Sequence, residues 1–509
     1  MTATIEPDVA SSDEPQPTFD SFNPATGDVV GTHPIDGREQ VEAAVAAARE
    51  ATGWWQGLGF EGRKEYLLQW RSVLTRRLHQ VADQVHREGG KPHGDALLEA
   101  GLAIDHIAWA AKHAPKVLGR KKVASGLLMT NQAASVEYQP LGVVGVIGPW
   151  NYPVFTPIGS IAYALAAGNT VVFKPSEYTP GVGRLLVDTF TEVVHGRPVL
   201  NLVTGLGETG SALCTADVDK IAFTGSSATG KKVMAACAEN LTPVVIEAGG
   251  KDSMIIDEDA DLASAAEAAL WGGLSNAGQT CIGTERVYVH ERVFDPFMAE
   301  LLRQAEGLRP GYDDGGVYGP STMPKQLDVI RSHIEDAIAR GGRPVLGGAD
   351  AVGERFVQPT ILTHVPEDSL AVTEETFGPT LVVNPVKDMD EAVELTNATK
   401  YGLAGAVFGK KHAMDIASRI RSGMTSVNSV IAFAAVPGLP FGGVGDSGFG
   451  RIHGPDGLRE FTYPKAITRQ RMKPVIMLQS MARDEKTESR FAQLLTVLHG
   501  GTGTLPKRR

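Results

Sequence analysis

Along residues 143–250, short apolar runs alternate with longer segments of helical period. The runs at 143–148, 170–174, 199–203, 220–224 and 243–247 are strand-sized, while 157–167 and 183–194 read as helices. Strands alternating with helices predict a parallel sheet covered on both faces, with ligands bound beyond the carboxyl ends of its strands. Residues 40–53 and 61–88 read as helices laid against this sheet. From 254 to 440 the pattern mixes again: 294–308, 325–340 and 389–397 are helical, and 286–290 and 380–384 are extended. A second α/β domain follows from that mixture. Residues 121–140 are strand-like and interrupt the first domain. Near the end, Phe491, Leu494, Leu495 and Leu498 recur at i, i+3, i+4 and i+7, one apolar helical face. Thr487 or Ser489 is placed to cap its start and Gly500-Gly501 to end it.

Composition narrows the class. A chain of 509 residues exceeds one compact core and calls for two or three domains. Its 42% hydrophobic and 21% charged residues are ordinary for a soluble globular protein, and 48 basic against 59 acidic residues, net −11, speak against a nucleic-acid surface. No apolar stretch reaches the length of a membrane span, so stable membrane insertion is not expected. Residues 1–18 are acidic and rich in Pro and Ser, which suits a disordered leader rather than a signal peptide. The three cysteines, Cys214, Cys237 and Cys281, lack metal-ligand spacing and cannot all pair, so no metal is expected and a reducing cytoplasm fits best.

The chemistry concentrates in loops. Cys281 sits in Asn-Ala-Gly-Gln-Thr-Cys-Ile-Gly at 276–283, and Glu247 closes an apolar run before Ala-Gly-Gly-Lys. A thiol and a carboxylate on separate loops supply a nucleophile and a base for covalent acyl chemistry. Taken singly, each is as readily a core thiol or a loop cap. Two glycine patterns compete for a phosphate. Gly205-Leu-Gly207-Glu-Thr-Gly210 matches Gly-x-Gly-x-x-Gly, but Phe223-Thr224 stand where an acidic residue is expected after the next strand. The turn from Phe223 to Gly230 opens a helix through 231–238, whose free N–H groups favour an anion.

Seven motifs occur in order: Gly-Pro-Trp-Asn-Tyr-Pro (148–153), Phe-Lys-Pro-Ser-Glu (173–177), Phe-Thr-Gly-Ser (223–226), Glu-Ala-Gly-Gly-Lys (247–251), Gly-Gln-Thr-Cys (278–281), Glu-Thr-Phe-Gly-Pro (375–379) and Pro-Phe-Gly-Gly-Val-Gly-Asp-Ser-Gly (440–448). Over about residues 20–465 the chain resembles the NAD(P)-dependent aldehyde dehydrogenase superfamily. The resemblance implies an α/β fold with a Rossmann-like parallel-sheet cofactor domain (19–120 and 141–250), a second α/β catalytic domain (251–450) and a small β oligomerisation arm (121–140 and 451–480), before a tail (481–509).

It also implies a reaction: aldehyde to carboxylic acid through a thiohemiacetal and a thioester on Cys281. Glu247 would be the base, Asn151 an oxyanion donor with the Cys281 backbone N–H, and Lys174 an aid to proton transfer. The cofactor would be NAD, with NADP admitted, in contact with Ile147, Gly148, Pro149, Trp150, Lys174, Ser176, Glu177, Gly205, Gly207, Phe223, Thr224, Gly225, Ser226, Thr229, Glu247, Ala248, Gly249, Cys281, Glu375 and Phe377. Glu177 would pair with the adenosine ribose, and Glu375 and Phe377 would hold the nicotinamide end. The implied assembly is a homodimer or homotetramer.

Two departures from the family pattern stand out. Ala248 replaces a more usual Leu beside the base, and Phe461-Thr-Tyr463-Pro replaces a second carboxylate, which places Tyr463 at the edge of the site. Trp150, Tyr152, Phe155 and Trp271 are expected to line an apolar channel for aliphatic or aromatic aldehydes. No clear Arg pair marks a dicarboxylate semialdehyde, although succinate semialdehyde stays an alternative substrate. A cofactor-independent cysteine hydrolase and an inactive scaffold are the competing classes.

Overall fold

The run-and-helix pattern becomes two sheets in the computed structural model, which describes residues 16–474, 476–477 and 479–501. The first sheet has six strands in the order Gly448–Phe449, Val244–Ala248, Lys220–Gly225, Val143–Ile147, Thr170–Lys174, Leu200–Leu202. All its neighbours are parallel except Gly448–Phe449, which returns antiparallel to Val244–Ala248. Every residue of Thr170–Lys174 is buried. Successive strand side chains point to opposite faces, so burial at every position means cover on both sides. Val143, Val172, Ile221 and Phe223 meet Val41, Val45 and Leu213 in one apolar cluster.

Strand order relative to sequence reverses between Val143–Ile147 and Lys220–Gly225, from which the chain runs outward in opposite directions. That reversal opens a crevice beyond Ile147 and Gly225, the usual ligand position of open α/β sheets. The second sheet has seven strands, in the order Arg343–Leu346, Thr360–Thr363, Thr380–Val386, Arg286–His290, Ser253–Ile256, Ala404–Phe408, Met424–Val427, parallel but for the first.

Among the described residues, those of 16–118 with 139–463 form one compact unit, and those of 119–138 with 464–501 a second. The helix Gly454–Glu460 packs against the helices His93–Leu118 and Phe155–Ala167 within the first. The second carries a three-stranded sheet in the order Thr462–Gln470, Gln132–Pro140, Lys121–Val123, and the C-terminal helix Glu485–His499. Asp484, rather than Thr487 or Ser489, caps that helix by accepting from the Thr487 N–H, and Gly500 ends it. The expected leader lies mostly outside the described residues. Thr18, at its end, already begins the strand Thr18–Phe22, which pairs antiparallel with Val29–Pro34. The single helix read at 61–88 is two, Gly59–Arg76 and Leu78–Gly89.

Candidate functional site

The Cys281 loop follows the helix Leu262–Leu274 through three consecutive left-handed residues, Asn276, Ala277 and Gly278 (φ +52°, +58° and +69°). Such backbone is costly for Asn and Ala and persists only where the surroundings enforce it. Gln279 enforces it: its amide donates to Asn276 O and Pro320 O and accepts from Thr322 N. Gly278 is needed for a second reason, since a Cβ there would stand 2.0 Å from Gly378 O. The Cys281 loop is therefore fixed from both sides. Asn151, in the turn after Val143–Ile147, donates one side-chain amide proton to Gln279 O (3.0 Å), while its backbone carbonyl accepts from Lys91 Nζ and Asn276 Nδ2.

Glu247 is 3% exposed at the end of Val244–Ala248, in register with Thr224. Neither carboxylate oxygen has a hydrogen-bond partner of normal geometry among the described residues. Burial raises its pKa to about 7, against a smaller opposite pull from the Cys281 thiol and Thr224, which approach it closely. Cys281 is partly accessible but tightly enclosed. Burial and then the Glu247 charge push its thiol well above the ordinary cysteine range. In this state the thiol keeps its proton and Glu247 is poised to take one near neutral pH.

Glu375 arrives from the second sheet, accepting from Gly250 N, with burial raising its pKa to about 8. Gly249 and Gly250 permit this convergence. A Cβ on Gly249 would stand 2.0 Å from Glu375 Oε2, and one on Gly250 2.8 Å from Cys281 O.

The remaining predicted cofactor residues gather around the crevice. Ile147 ends its strand between Lys174 and Phe223, and Gly148 N donates to Lys174 O. After Pro149, Trp150 sets its edge against the ring of Phe377 (5.6 Å), whose φ is +51°. Lys174 is buried, with Nζ bonded to Pro175 O and 3.8 Å from Glu177. Its described partners are thus on the crevice side, not at the thiol. Ser176 donates to Glu177, which faces a cavity of about 670 Å³ with Tyr178 and Leu206. Ser226 caps the helix Ser227–Ala238 through Thr229 N, leaving that helix's first N–H groups toward the crevice from Gly225. Gly205 packs tightly on Thr209, whose hydroxyl bonds Asp36 O, so this glycine is required by the fold beside the start of Gly207–Thr215. Ala248 is buried in register with Gly225. A strand-order reversal, a helix N-terminus, a buried lysine and two carboxylates along one crevice fit a dinucleotide.

Cys281 opens on a cavity of about 80 Å³ lined by Tyr152, Phe155, Trp271, Leu98, Leu102, Ile282, Ile431 and Phe441, with Asp95 and Glu99. No Lys, Arg or His lines it among the described residues. Trp150, expected in this channel, instead lies against Phe377. Tyr463, expected at the site's edge, is 45% exposed and bonds Gln139 in the strand pairing that begins there.

Several residues that hold the site were not singled out from sequence. Glu99 accepts the N–H groups of Val154 and Phe155 and pairs with buried Lys91, which stands 3.7 Å over the Tyr152 ring. Glu285 accepts the N–H groups of Thr376 and Phe377 and pairs with buried Lys251. The signal available was spacing: Lys251 follows Glu247 by four residues, and Glu285 follows Cys281 by four.

The family model described as "Aldehyde dehydrogenase family" matches residues 10–467. A mitochondrial aldehyde dehydrogenase of Leishmania tarentolae is 38% identical over 462 residues, 88% of this chain and 91% of that protein. A 4,4'-diapolycopene aldehyde oxidase of Methylomonas sp is 36% identical over 88% of this chain and 85% of its own length. The crystal structure of an NAD-dependent aldehyde dehydrogenase from Sinorhizobium meliloti superposes with a TM-score of 0.86 at 32% identity, covering 91% of this chain and 93% of that one. The family match spans both large sheets and the site, and it sets aside the cofactor-free cysteine hydrolase. The chain belongs to the aldehyde dehydrogenase family and is an oxidoreductase acting on aldehydes.

Proposed function

We propose that the protein oxidises aldehydes with an apolar body to carboxylic acids, using Cys281 as nucleophile, Glu247 as base and NAD as acceptor. The observation that carries this is the meeting of Cys281, Glu247 and the Asn151 turn beside a largely apolar cavity that no cationic side chain lines among the described residues. The Cys281 thiol gives up its proton to solvent, and its sulfur attacks the carbonyl carbon. The Cys281 backbone N–H and the second amide proton of Asn151 receive the oxyanion, each such donor being worth about 2.7–4 kcal/mol. A bound NAD supplies the hydride acceptor. Loss of hydride leaves a thioester on Cys281. Glu247 then deprotonates water, which attacks the thioester and releases the acid.

Glu177 supports NAD over NADP, because a carboxylate beside the ribose repels a 2′-phosphate, though NADP remains a slower alternative. Asp95 on the cavity wall weighs against succinate semialdehyde, whose far carboxylate would meet a like charge. Division of labour follows the sheets: the first for cofactor, the second for the catalytic loop. The second unit leaves Val123, Leu127 (72% exposed), Leu128 and Met129 uncovered, which supports a homodimer or homotetramer built through it. Three free thiols suit a reducing cytoplasm.

The test is a panel of aldehydes with NAD, read by absorbance of the reduced nicotinamide. Hexanal and benzaldehyde are expected to turn over faster than succinate semialdehyde. Cys281→Ala should lose turnover and keep NAD binding. Substantial steady-state turnover by Cys281→Ala would overturn the mechanism.

A further inference from the structure

Two of the three cysteines lie away from the catalytic loop yet close to each other. Cys214 occupies the last turn of the helix Gly207–Thr215, and Cys237 the last turn of Ser227–Ala238. Each is 1% exposed, and both belong to one apolar cluster with Leu213, Ile221 and Val233. The two helices pack on one another. Their carboxyl ends meet: Asn240 Nδ2, three residues beyond Cys237, donates to the carbonyl of Thr215, the neighbour of Cys214 (3.0 Å), and each thiol shifts the other's proton affinity. Nothing in the aldehyde chemistry uses either group.

We propose that Cys214 and Cys237 are a modification site, a dithiol that a peroxide closes into an intramolecular disulfide, and that closure weakens cofactor binding. The Cys237 sulfur attacks one peroxide oxygen and the O–O bond breaks, giving a sulfenic acid and, after proton uptake, water. The Cys214 sulfur then attacks the Cys237 sulfur. The S–O bond breaks and the hydroxide leaves as water with the Cys214 proton. Two thiols lose two electrons and one peroxide becomes two waters. A buried pair admits an oxidant little larger than water and excludes bulky disulfides.

The consequence follows from where these helices begin. Gly207–Thr215 starts at the Gly205-Leu206-Gly207 turn and Ser227–Ala238 at Ser226, both among the residues proposed to bind the cofactor. A disulfide needs sulfurs at about 2.05 Å and Cα atoms about 4.4–6.8 Å apart, closer than two thiols in van der Waals contact require. Closure therefore draws the helices together at their carboxyl ends. Helices of 9 and 12 residues behave as short rods, so their amino ends shift with them. This consequence rests on the crevice reading given under Proposed function.

The experiment uses the full chain carrying Cys281→Ala, which leaves two thiols in place of the three. The reduced protein is treated with hydrogen peroxide under native conditions. Thiols are then counted after denaturation, the bridge is mapped by non-reducing peptide mass spectrometry, and NAD affinity is followed by tryptophan fluorescence. Expected are loss of both thiols, a bridged peptide pair within one chain, and NAD binding weakened about tenfold. Dithiothreitol should restore it. Adding Cys237→Ser should leave affinity unchanged by peroxide. Persistence of both thiols, oxidation of one without a bridge, or a bridge with unaltered affinity would each overturn the proposal. Failure of the reduced protein to bind NAD would instead overturn the crevice reading, while the thiol count still judges the bridge.

Discussion

Replacing Glu247 by Gln separates two consequences of one buried carboxylate. Glu247 is enclosed with no hydrogen-bond partner of normal geometry among the described residues, and burial lifts its pKa from 4.5 to about 7. A shift of that size corresponds to about 3 kcal/mol of preference for the neutral form in the folded chain. Between about pH 4.5 and 7 the folded state holds a proton that the unfolded state has lost, so stability falls as pH rises and levels off above 7. Gln cannot titrate. The variant should therefore gain up to about 3 kcal/mol on the wild type as pH climbs through this window, with no further gain beyond pH 8. Glu375 is present in both proteins, so its own titration largely cancels. Thermal melts of both at pH 5, 6, 7 and 8 measure the widening gap. In stopped flow with NAD and hexanal, the variant should release a burst of reduced nicotinamide and then turn over about 10²–10⁴-fold more slowly. A melting gap that ignores pH would refute the buried-charge reading. Slow turnover without a burst would move the base from thioester hydrolysis to thiol activation.

Asp95→Asn removes the acidic group that burial holds above the ordinary aspartate range on the cavity wall. The ratio of kcat/KM for succinate semialdehyde to that for hexanal should rise about tenfold, the size of a partly screened like-charge contact. An unchanged ratio places substrate selection elsewhere. Glu285→Gln leaves buried Lys251 unpaired and presents an amide to the N–H groups of Thr376 and Phe377. A loss of about 3–5 kcal/mol of stability is expected, together with a raised KM for NAD that exceeds any change in kcat. Unaltered melting and KM would show that the Phe377 turn holds itself.

The first sheet was legible because its central strands are covered on both faces. Residues 171–173 are three apolar residues in a row, and the strand found there spans the 170–174 that the pattern predicts. Burial on several sides also hid an element. The helix His93–Leu118 has so many alanines and other apolar residues around it that no polar stripe betrays the period, yet it brings Asp95, Leu98, Glu99 and Leu102 to the cavity. The break between Gly59–Arg76 and Leu78–Gly89 carries no Gly or Pro signal. Motif residues fell where strand ends put them, but which of them touch depended on register. Thr224 meets Glu247 only because Lys220–Gly225 and Val244–Ala248 pair in parallel, and Trp150 leaves the channel for Phe377 only because the second sheet delivers that ring. Lys251 with Glu285, Lys91 with Glu99 and Cys214 with Cys237 are likewise pairs made by packing.

The same electrostatics holds the Cys281 thiol in its protonated form at the mouth of its cavity. Burial and the charges of Glu247, Glu375 and Asp252 all raise the Cys281 pKa, so each disfavours the thiolate that oxidants and stray electrophiles attack. Burial in turn raises the pKa values of Glu247 and Glu375 to about 7 and 8, so near neutrality the cluster holds its protons rather than three charges. Glu375 stands against Gly249, at the crevice, and Glu247 faces the thiol. A positive charge brought into the crevice beside them lowers all three pKa values at once, because it stabilises every anionic form. Thiol activation is thereby tied to occupancy of the crevice through the field of the site, and the tie needs no movement of the Cys281 loop, which Gln279 and the left-handed turn at 276–278 already hold rigid.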